Sequence, residues 1–206
     1  MRREIATFSN SLLLIFSILF FCQVADAQIQ LGIKMGYNRS NVPFSGDQYY
    51  TDKDLSAFNA GLMASIPLSA HLIFKPEVVY SVQGIVDINH ATLGNQYIKY
   101  SNYYLNLPVL IEYRHVSGLF VETGPQFGIL LSAKADDGEE FHMNETPYTQ
   151  PGDISWVFGL GYQIPKINLG IDVRFNLGIT DINRYAGNYE NNRVFQLGLF
   201  YFFKKL

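Results

Sequence analysis

The sequence predicts an all-β fold, an eight-stranded antiparallel up-and-down transmembrane β-barrel with short periplasmic turns and long extracellular loops. The first observation behind this prediction is that apolar and polar residues alternate in eight segments, which is the period of a half-buried strand. The second is a segment length of about 10–12 residues, because ordinary strands peak near about 5–6 residues and membrane-crossing strands need about 9–11. The third is that short and long connections alternate along the chain, as they do in bacterial outer-membrane barrels.

The alternation also gives the order of the elements. The predicted strands are residues 29–38, 57–66, 72–83, 103–114, 119–131, 153–164, 167–178 and 193–203. The short connections are residues 67–71, 115–118 and 165–166, and the long polar ones are 39–56, 84–102, 132–152 and 179–192. We call the two ends of the predicted barrel the short-turn rim and the long-loop rim.

The first 27 residues are predicted to be a secretory signal peptide that is removed before folding. Arg2 and Arg3 give a positive start, residues 12–22 are almost entirely apolar, and residues 25–27 form a small-residue cleavage site. The alternative is an N-terminal membrane anchor, but the apolar run is shorter than the ~20 residues that a spanning helix needs. The expected division is a signal peptide at residues 1–27 and a barrel domain at residues 28–206.

Composition excludes several other classes of protein. The chain has 206 residues, of which 48% are hydrophobic and 16% are charged, and this excludes intrinsic disorder. A net charge of −3 argues against a nucleic-acid-binding domain, which usually carries a basic excess. The single cysteine, Cys22, lies in the predicted leader, so neither a disulfide framework nor a multi-cysteine metal site is expected. We predict no cofactor and no bound metal.

Alternation alone does not tell which face of each strand points inward, because a lipocalin-like carrier would have an apolar interior. The available volume favours a polar interior, since eight strands enclose a space just wide enough for side chains or one small ligand. The apolar face carries too many large residues to fit there, whereas the polar face is rich in glycine. The glycines concerned are Gly32, Gly36, Gly61, Gly124, Gly128, Gly159, Gly161, Gly170, Gly178 and Gly198. We therefore expect the apolar face to contact lipid, in a barrel closed so that no strand edge does.

Eight charged residues fall on the predicted inward face, four of each sign. They are Lys34, Lys75, Arg114 and Arg174, and Glu77, Glu112, Glu122 and Asp172. Because a confined interior disfavours unpaired charge, this balance predicts a network of ion pairs that fills the lumen. The alternative is a narrow path for ions or protons, although a selective pore would more often show a ring of one sign.

Aromatic residues on the outward face fall near both predicted rims, as expected for the girdles at the two membrane interfaces. Those near the long-loop rim are Tyr37, Phe58, Tyr80, Tyr103 and Trp156. Those near the short-turn rim are Phe74, Tyr113, Tyr162, Tyr201 and Phe203. The alternative is that strands are rich in aromatic residues for reasons unrelated to a membrane.

Five stretches of the chain carry a resemblance to a known family. They are residues 32–36 (GIKMG), 104–110 (YLNLPVL), 118–126 (GLFVETGPQ), 172–180 (DVRFNLGIT) and 196–203 (QLGLFYFF). In this order and spacing they resemble the PorT-like outer-membrane β-barrel proteins of Bacteroidetes-type bacteria. The resemblance implies an outer-membrane barrel, but no single activity. The namesake of the family is an accessory of a protein-secretion system.

Three functions remain open at this stage. The first is a structural or interaction role in the cell envelope, accessory to protein secretion or surface binding. The second is a small porin-like channel for ions or small solutes. The third is a lipid-modifying enzyme, for which we identify no catalytic residues, because no histidine lies on a strand beside a serine and an acid.

The expected partners follow from an outer-membrane location. They are outer-membrane lipid and lipopolysaccharide, the barrel-assembly machinery, and other envelope or secretion proteins, but no nucleic acid. Tyr201 and Phe203 are the expected assembly-signal positions. The acidic residues 136–140 of the third long connection are candidates for Ca²⁺ binding, although a solvated loop is the simpler interpretation. Tyrosine- and asparagine-rich residues 46–50 and 185–192 are candidate binding tips.

Overall fold

The structure, a computed structural model, describes residues 29–41, 50–89, 96–136, 142–146, 149–181 and 191–203. The predicted signal peptide, most of the acidic residues 136–140 and most of both candidate tips lie outside these ranges. The strands are β1 (Gln30–Asn41), β2 (Tyr50–Pro67), β3 (Leu72–Asn89), β4 (Gln96–Arg114), β5 (Leu119–Asp136), β6 (His142–Asn144), β7 (Gly152–Ile164), β8 (Leu169–Gly178) and β9 (Arg193–Phe202).

Eight of these strands close into a barrel in which neighbours along the ring are antiparallel. Strands β1 to β5 follow in order, β5 pairs with β7, and β8 and β9 return the sheet to β1. The short strand β6 pairs with the far end of β5. The predicted eight-stranded antiparallel barrel is therefore confirmed. In the described part of the chain, no helix has the length and hydropathy that crossing a membrane requires.

The strands alternate between buried and exposed side chains along most of their length, and the apolar ones are on the outside. On β9 every second residue is buried, while Leu197 and Leu199 between them are exposed. On β5 the same alternation exposes Val121 and buries Glu122. The inward face is polar, as the volume of an eight-stranded barrel requires.

Four strands are at least five residues longer than predicted, and their extra length lies at the long-loop rim except for Pro67 of β2. Strands β2, β3 and β5 have 18 residues and β4 has 19, whereas β8 and β9 have 10. The predicted loops 39–56, 84–102 and 132–152 are thus wrong in part, because strands occupy much of each. Past their last pairs, β2 runs five residues beyond β1 and β5 runs seven residues beyond β7, which corresponds to about 15–25 Å. We call residues 50–56, 84–89, 96–102 and 131–136 together with β6 the protruding sheet.

The three short turns close the opposite rim. Gly118 has a φ of 97° at the end of the turn after β4, a conformation that glycine adopts without a steric penalty. Asn168 has a φ of 56°, where asparagine is enriched among non-glycine residues. Because Ile167 and Asn168 belong to this last turn, β8 begins at Leu169, two residues later than the predicted start of the strand.

Candidate functional site

The barrel interior brings together all eight of the charged residues that the sequence placed there. Seven of them, all but Arg114, are at most 4% exposed, so they are enclosed by the wall rather than lining an open channel. Their ion pairs form one connected network, which we call the interior network. Its members are Lys34, Lys75, Glu77, Glu112, Arg114, Glu122, Asp172 and Arg174.

Arg174 is the centre of the interior network. Its two terminal nitrogens donate to the two carboxylate oxygens of Glu77, each at 2.7 Å, in the bidentate geometry that suits a guanidinium. Its Nε lies 2.6 Å from Oε1 of Glu122 and 3.6 Å from Oδ1 of Asp172. One cation therefore holds carboxylates from β3, β5 and its own strand β8, which lie on different sides of the barrel.

Two lysines extend the network in opposite directions. Lys34 Nζ donates to Oδ2 of Asp172 at 3.0 Å and lies 3.9 Å from Oε2 of Glu77. Lys75 Nζ donates to Glu112 at 3.0 Å and to Glu122 at 2.8 Å. Glu112 and Glu122 are direct cross-strand partners, a pairing that would repel without the cation between them. Every carboxylate of the network thus has at least one cationic partner.

Arg114 forms the end of the network nearest the short-turn rim. Its Nε donates to Oε1 of Glu112 at 2.6 Å, and its side chain is 18% exposed. It also lines a cavity of ≈340 Å³ at the mouth of the barrel, together with Gln30, His115 and Gln163. Solvent therefore reaches the edge of the network at this rim.

Glycines on neighbouring strands make room for the charged side chains. Gly61 is the cross-strand partner of Lys34, and Gly159 is the partner of both Glu122 and Arg174. Asp172 lies between Gly161 and Gly198 in the same way. A Cβ at Gly159 would lie 2.7 Å from the Glu122 side chain, so no larger residue fits without displacing the network.

An aromatic cluster inside the short-turn end of the barrel was not predicted. Met63, Phe120, Phe200 and Phe202 pack together and are at most 3% exposed. Lys75 Nζ lies 4.8 Å from the ring centroid of Phe120 and 5.0 Å from that of Phe200, which are cation–π distances. The parity of β9 could have revealed the two phenylalanines of that strand, because they share a face with Gln196.

A second layer that the sequence did not single out lies between the interior network and the long-loop rim. It consists of amide and hydroxyl side chains that bond to one another across the barrel. Asn38 is central, since its Nδ2 donates to Ser81 at 2.9 Å and its Oδ1 accepts from Asn59 at 2.6 Å and from Gln196 at 3.0 Å. The interior thus has an aromatic, a charged and an amide layer, in that order.

The ten aromatic residues predicted for the two girdles all lie on the outer surface. Tyr37, Phe58, Tyr113, Trp156, Tyr162 and Phe203 are exposed, and Phe74, Tyr80, Tyr103 and Tyr201 are half-buried. Three of those near the long-loop rim form a continuous row, with ring centroids 6.0 Å apart for Phe58 and Tyr80 and 6.4 Å apart for Tyr80 and Tyr103. Their role at a membrane interface stays a prediction.

Charged residues follow the row of aromatic residues on the outer surface of the long-loop rim. Arg39 pairs with Asp54, whose other oxygen accepts from Asn41 Nδ2 at 2.7 Å. This hydrogen bond, together with that from Arg39, outweighs partial burial and holds the pKa of Asp54 below its usual value. Asp54 lies beyond Phe58 toward the long-loop rim, outside the predicted membrane-spanning part of β2, and stays ionised at neutral pH.

The histidines in the short turns are held by local contacts. His71 Nδ1 lies 3.1 Å from the backbone oxygen of Arg114, and His115 Nδ1 lies 2.9 Å from Ser117 Oγ. Within the described ranges, no group of three histidine, cysteine or carboxylate side chains is placed to hold a metal ion.

A closed β-barrel with an apolar outer wall and a buried charged interior defines the class of transmembrane β-barrel proteins. The model of the family described as outer membrane protein beta-barrel domain matches residues 21–184. The chain belongs to this family, which places it in the bacterial outer membrane.

Solved structures of outer-membrane barrels share the fold at low sequence identity. Neisserial surface protein A (NspA) matches with a TM-score of 0.53 and 13% identity, over 84% of this chain and 97% of that one. Ail, the attachment invasion locus protein of Yersinia pestis, matches with a TM-score of 0.48 and 17% identity, over 84% of this chain and 98% of that one. At these identities the likeness concerns the fold alone. Among curated proteins, no sequence matches the chain.

Proposed function

We propose that this protein is a closed, non-conducting barrel that serves as a structural or interaction protein of the outer membrane. The observation that carries the proposal is the interior network, which joins the eight predicted interior charges across the lumen. Buried Asp153 lies outside this network and accepts hydrogen bonds from Thr180 and Asn192. The aromatic cluster on one side of the network and the amide layer on the other add two further packed layers. A barrel filled in this way supports a rigid anchor rather than a conduit.

The protruding sheet is the proposed interaction surface, and we propose that it faces the cell exterior. Its outer surface carries exposed Lys53, Lys99 and Lys134 beside exposed Tyr97, and long loops of outer-membrane barrels are extracellular. The resemblance to PorT-like proteins favours an envelope or secretion component as the partner. The local contacts of His71 and His115 support a non-enzymatic role, because neither involves a carboxylate that could orient a catalytic base.

Planar-bilayer recordings test whether the lumen is closed. We expect the wild-type protein to show no stable conductance steps. A selective pore is typically water-filled and lined by charges of one sign, whereas the charges of the interior network are paired with one another. The Glu77→Ala/Arg174→Ala double variant removes the bidentate pair and should leak if it still folds. The control is Glu145→Ala, outside the barrel interior. Stable wild-type steps that disappear on changing Glu122 or Arg174 would instead support the porin-like alternative.

Labelling of intact cells tests the orientation. Cys22, the only cysteine of the sequence, lies in the predicted leader, so a cysteine introduced elsewhere is a unique target. We expect Lys99→Cys in the protruding sheet to react with a membrane-impermeant maleimide on whole cells. Lys166→Cys, in a short turn, should react only after lysis. The reverse pattern would show that the protruding sheet faces the periplasm.

A further inference from the structure

A groove on the outer wall of the barrel combines arginines with an apolar floor. It is a cavity of ≈590 Å³ at the long-loop rim, between β2 and β1 on one side and β9 and β8 on the other. Arg193 lies at its upper edge, Arg39 lies one row of the sheet lower, level with Phe195 and Phe175, and Leu197 lies one row below these. All five side chains are exposed on the face of the sheet that contacts lipid.

The strand register places the two arginines close to each other. Arg39 is opposite Phe195, and Arg193 is two residues further along β9, opposite Asn41. Such diagonal neighbours on one face of a sheet are about 7–8 Å apart, well within the reach of two arginine side chains. The next row toward the membrane contains Tyr37 and Leu197. Arg193 thus shares the top row with Asn41 and Leu177, and Arg39 shares the second row with Phe195 and Phe175. The side chains of Tyr37 and Leu197 in the third row carry no charge.

The groove has an excess of positive charge. Asp54 neutralises one of the two arginines and fixes its position, since Asn41 holds the second oxygen of that carboxylate at 2.7 Å. Arg193 makes no ion pair with any residue that the structure describes. One guanidinium is therefore free to bind an anion, and the fork geometry of its donors matches a phosphate group.

We infer that this groove binds a phosphate-bearing glycolipid of the outer leaflet, with the phosphate on Arg193 and Arg39 and an acyl chain over Phe175, Phe195 and Leu197. The two arginines lie beside apolar side chains in the same rows and above Leu197, at the boundary of the lipid-contacting wall, and this arrangement fits a phosphate anchored to an acyl chain rather than a free one. A phosphate monoester on a sugar carries no neighbouring cation, unlike a phosphoethanolamine headgroup, so it complements a site with net positive charge. The inference rests on the proposed outward orientation of the long-loop rim, but not on a closed lumen.

The test is a titration of the refolded full-length chain in detergent micelles with diphosphoryl lipid A, followed by native mass spectrometry. We expect the wild-type protein to retain lipid A and to bind its dephosphorylated form at least about tenfold more weakly, because hydrogen bonds to charged groups contribute about that factor. The Arg39→Gln/Arg193→Gln variant should lose affinity for lipid A by a similar factor.

The matched control is Lys99→Gln/Lys134→Gln, which removes two exposed cations from the same rim but away from the groove. This variant should bind lipid A like the wild-type protein, and its unheated mobility on gels, like that of the arginine variant, should show a folded barrel. An equal loss of affinity for lipid A in both variants would show that the overall positive charge of the rim attracts the lipid. This result would overturn the proposed site. Equal binding of the two lipid forms, or displacement of lipid A by millimolar inorganic phosphate, would also overturn it. Because binding in micelles does not depend on orientation, a failure here is distinguishable from a failure of the cell-labelling experiment.

Discussion

Arg174→Met is expected to lower the free energy of unfolding of the barrel by about 3–5 kcal/mol, the usual cost of removing one member of a buried ion network. The physical reason is that the substitution leaves two buried carboxylates with fewer cationic partners. Glu77 loses both of its hydrogen bonds to the guanidinium, and Glu122 loses a partner at 2.6 Å. Burying these carboxylates with fewer cations is far more costly than burying a neutral side chain.

Urea titration in detergent, followed by the fluorescence of Trp156, the single tryptophan, measures this effect. Arg193→Met is the matched control, because it removes an exposed arginine from the outer wall and should shift the midpoint little in a detergent without phosphorylated lipid. Adding Glu77→Gln to Arg174→Met should recover part of the loss, since it removes the unpaired charge. An Arg174→Met barrel as stable as the control would show that the interior network does not contribute to the fold.

Gly161→Val is expected to destabilise the barrel by about 1–3 kcal/mol or to prevent its closure, because the interior has no space for the added atoms. Gly161 faces the lumen between β5 and β8. A Cβ there would overlap the carbonyl oxygen of Ile171 and the ring of Phe120. The ring cannot move away freely, since it packs against Phe200 at a centroid distance of 5.9 Å.

Gly152→Val is the matched control for this steric effect, because the nearest atom to a Cβ at Gly152 is 3.9 Å away. Its gel mobility without heating and its urea midpoint should resemble those of the wild-type protein. If the ring of Phe120 causes the clash, the Gly161→Val/Phe120→Ala double variant should lose less stability than the sum of the single variants. Additive losses would assign the effect of Gly161→Val to the backbone alone.

The wall of the barrel could be predicted because its chemistry repeats every two residues. On β9, exposed Leu197 and Leu199 alternate with buried Gln196 and Gly198, and such alternation is a local property of the sequence. The eight inward-facing charged residues could be predicted for the same reason. Parity identifies each one without knowledge of its partner, and their balanced signs predict that partners exist.

The pairing inside the barrel could not be predicted, because it depends on how the ring closes. Arg174 and Glu77 are 97 positions apart in sequence, on strands β8 and β3 that are not neighbours. Which carboxylate meets which cation is set by the register of several intervening strands, and no local pattern encodes it. The interior position of Phe200 was missed because apolar residues occupy both faces of the end of β9.

The protruding sheet was missed for a different reason. Past the apolar outer wall, neither face of a strand has to be apolar. Apolar and polar residues therefore stop alternating, and polar residues such as Asp52 and Asn102 led to the prediction of a loop. Pairing nevertheless continues, with Tyr100 opposite both Ile85 and Ala135. Whether a strand continues past the apolar wall depends on pairing with its neighbouring strands rather than on the pattern of its own side chains.

The unequal strand lengths make the two sides of the barrel different, because the wall is taller on one side than on the other. Strands β2 to β5 extend further toward the long-loop rim on one side of the barrel, while β8 and β9 on the other side are shorter. The arginine-edged groove lies on the outer wall between β8 and β9 and the edge of the protruding sheet at Asp54, so a single copy of this chain has two different surfaces next to each other.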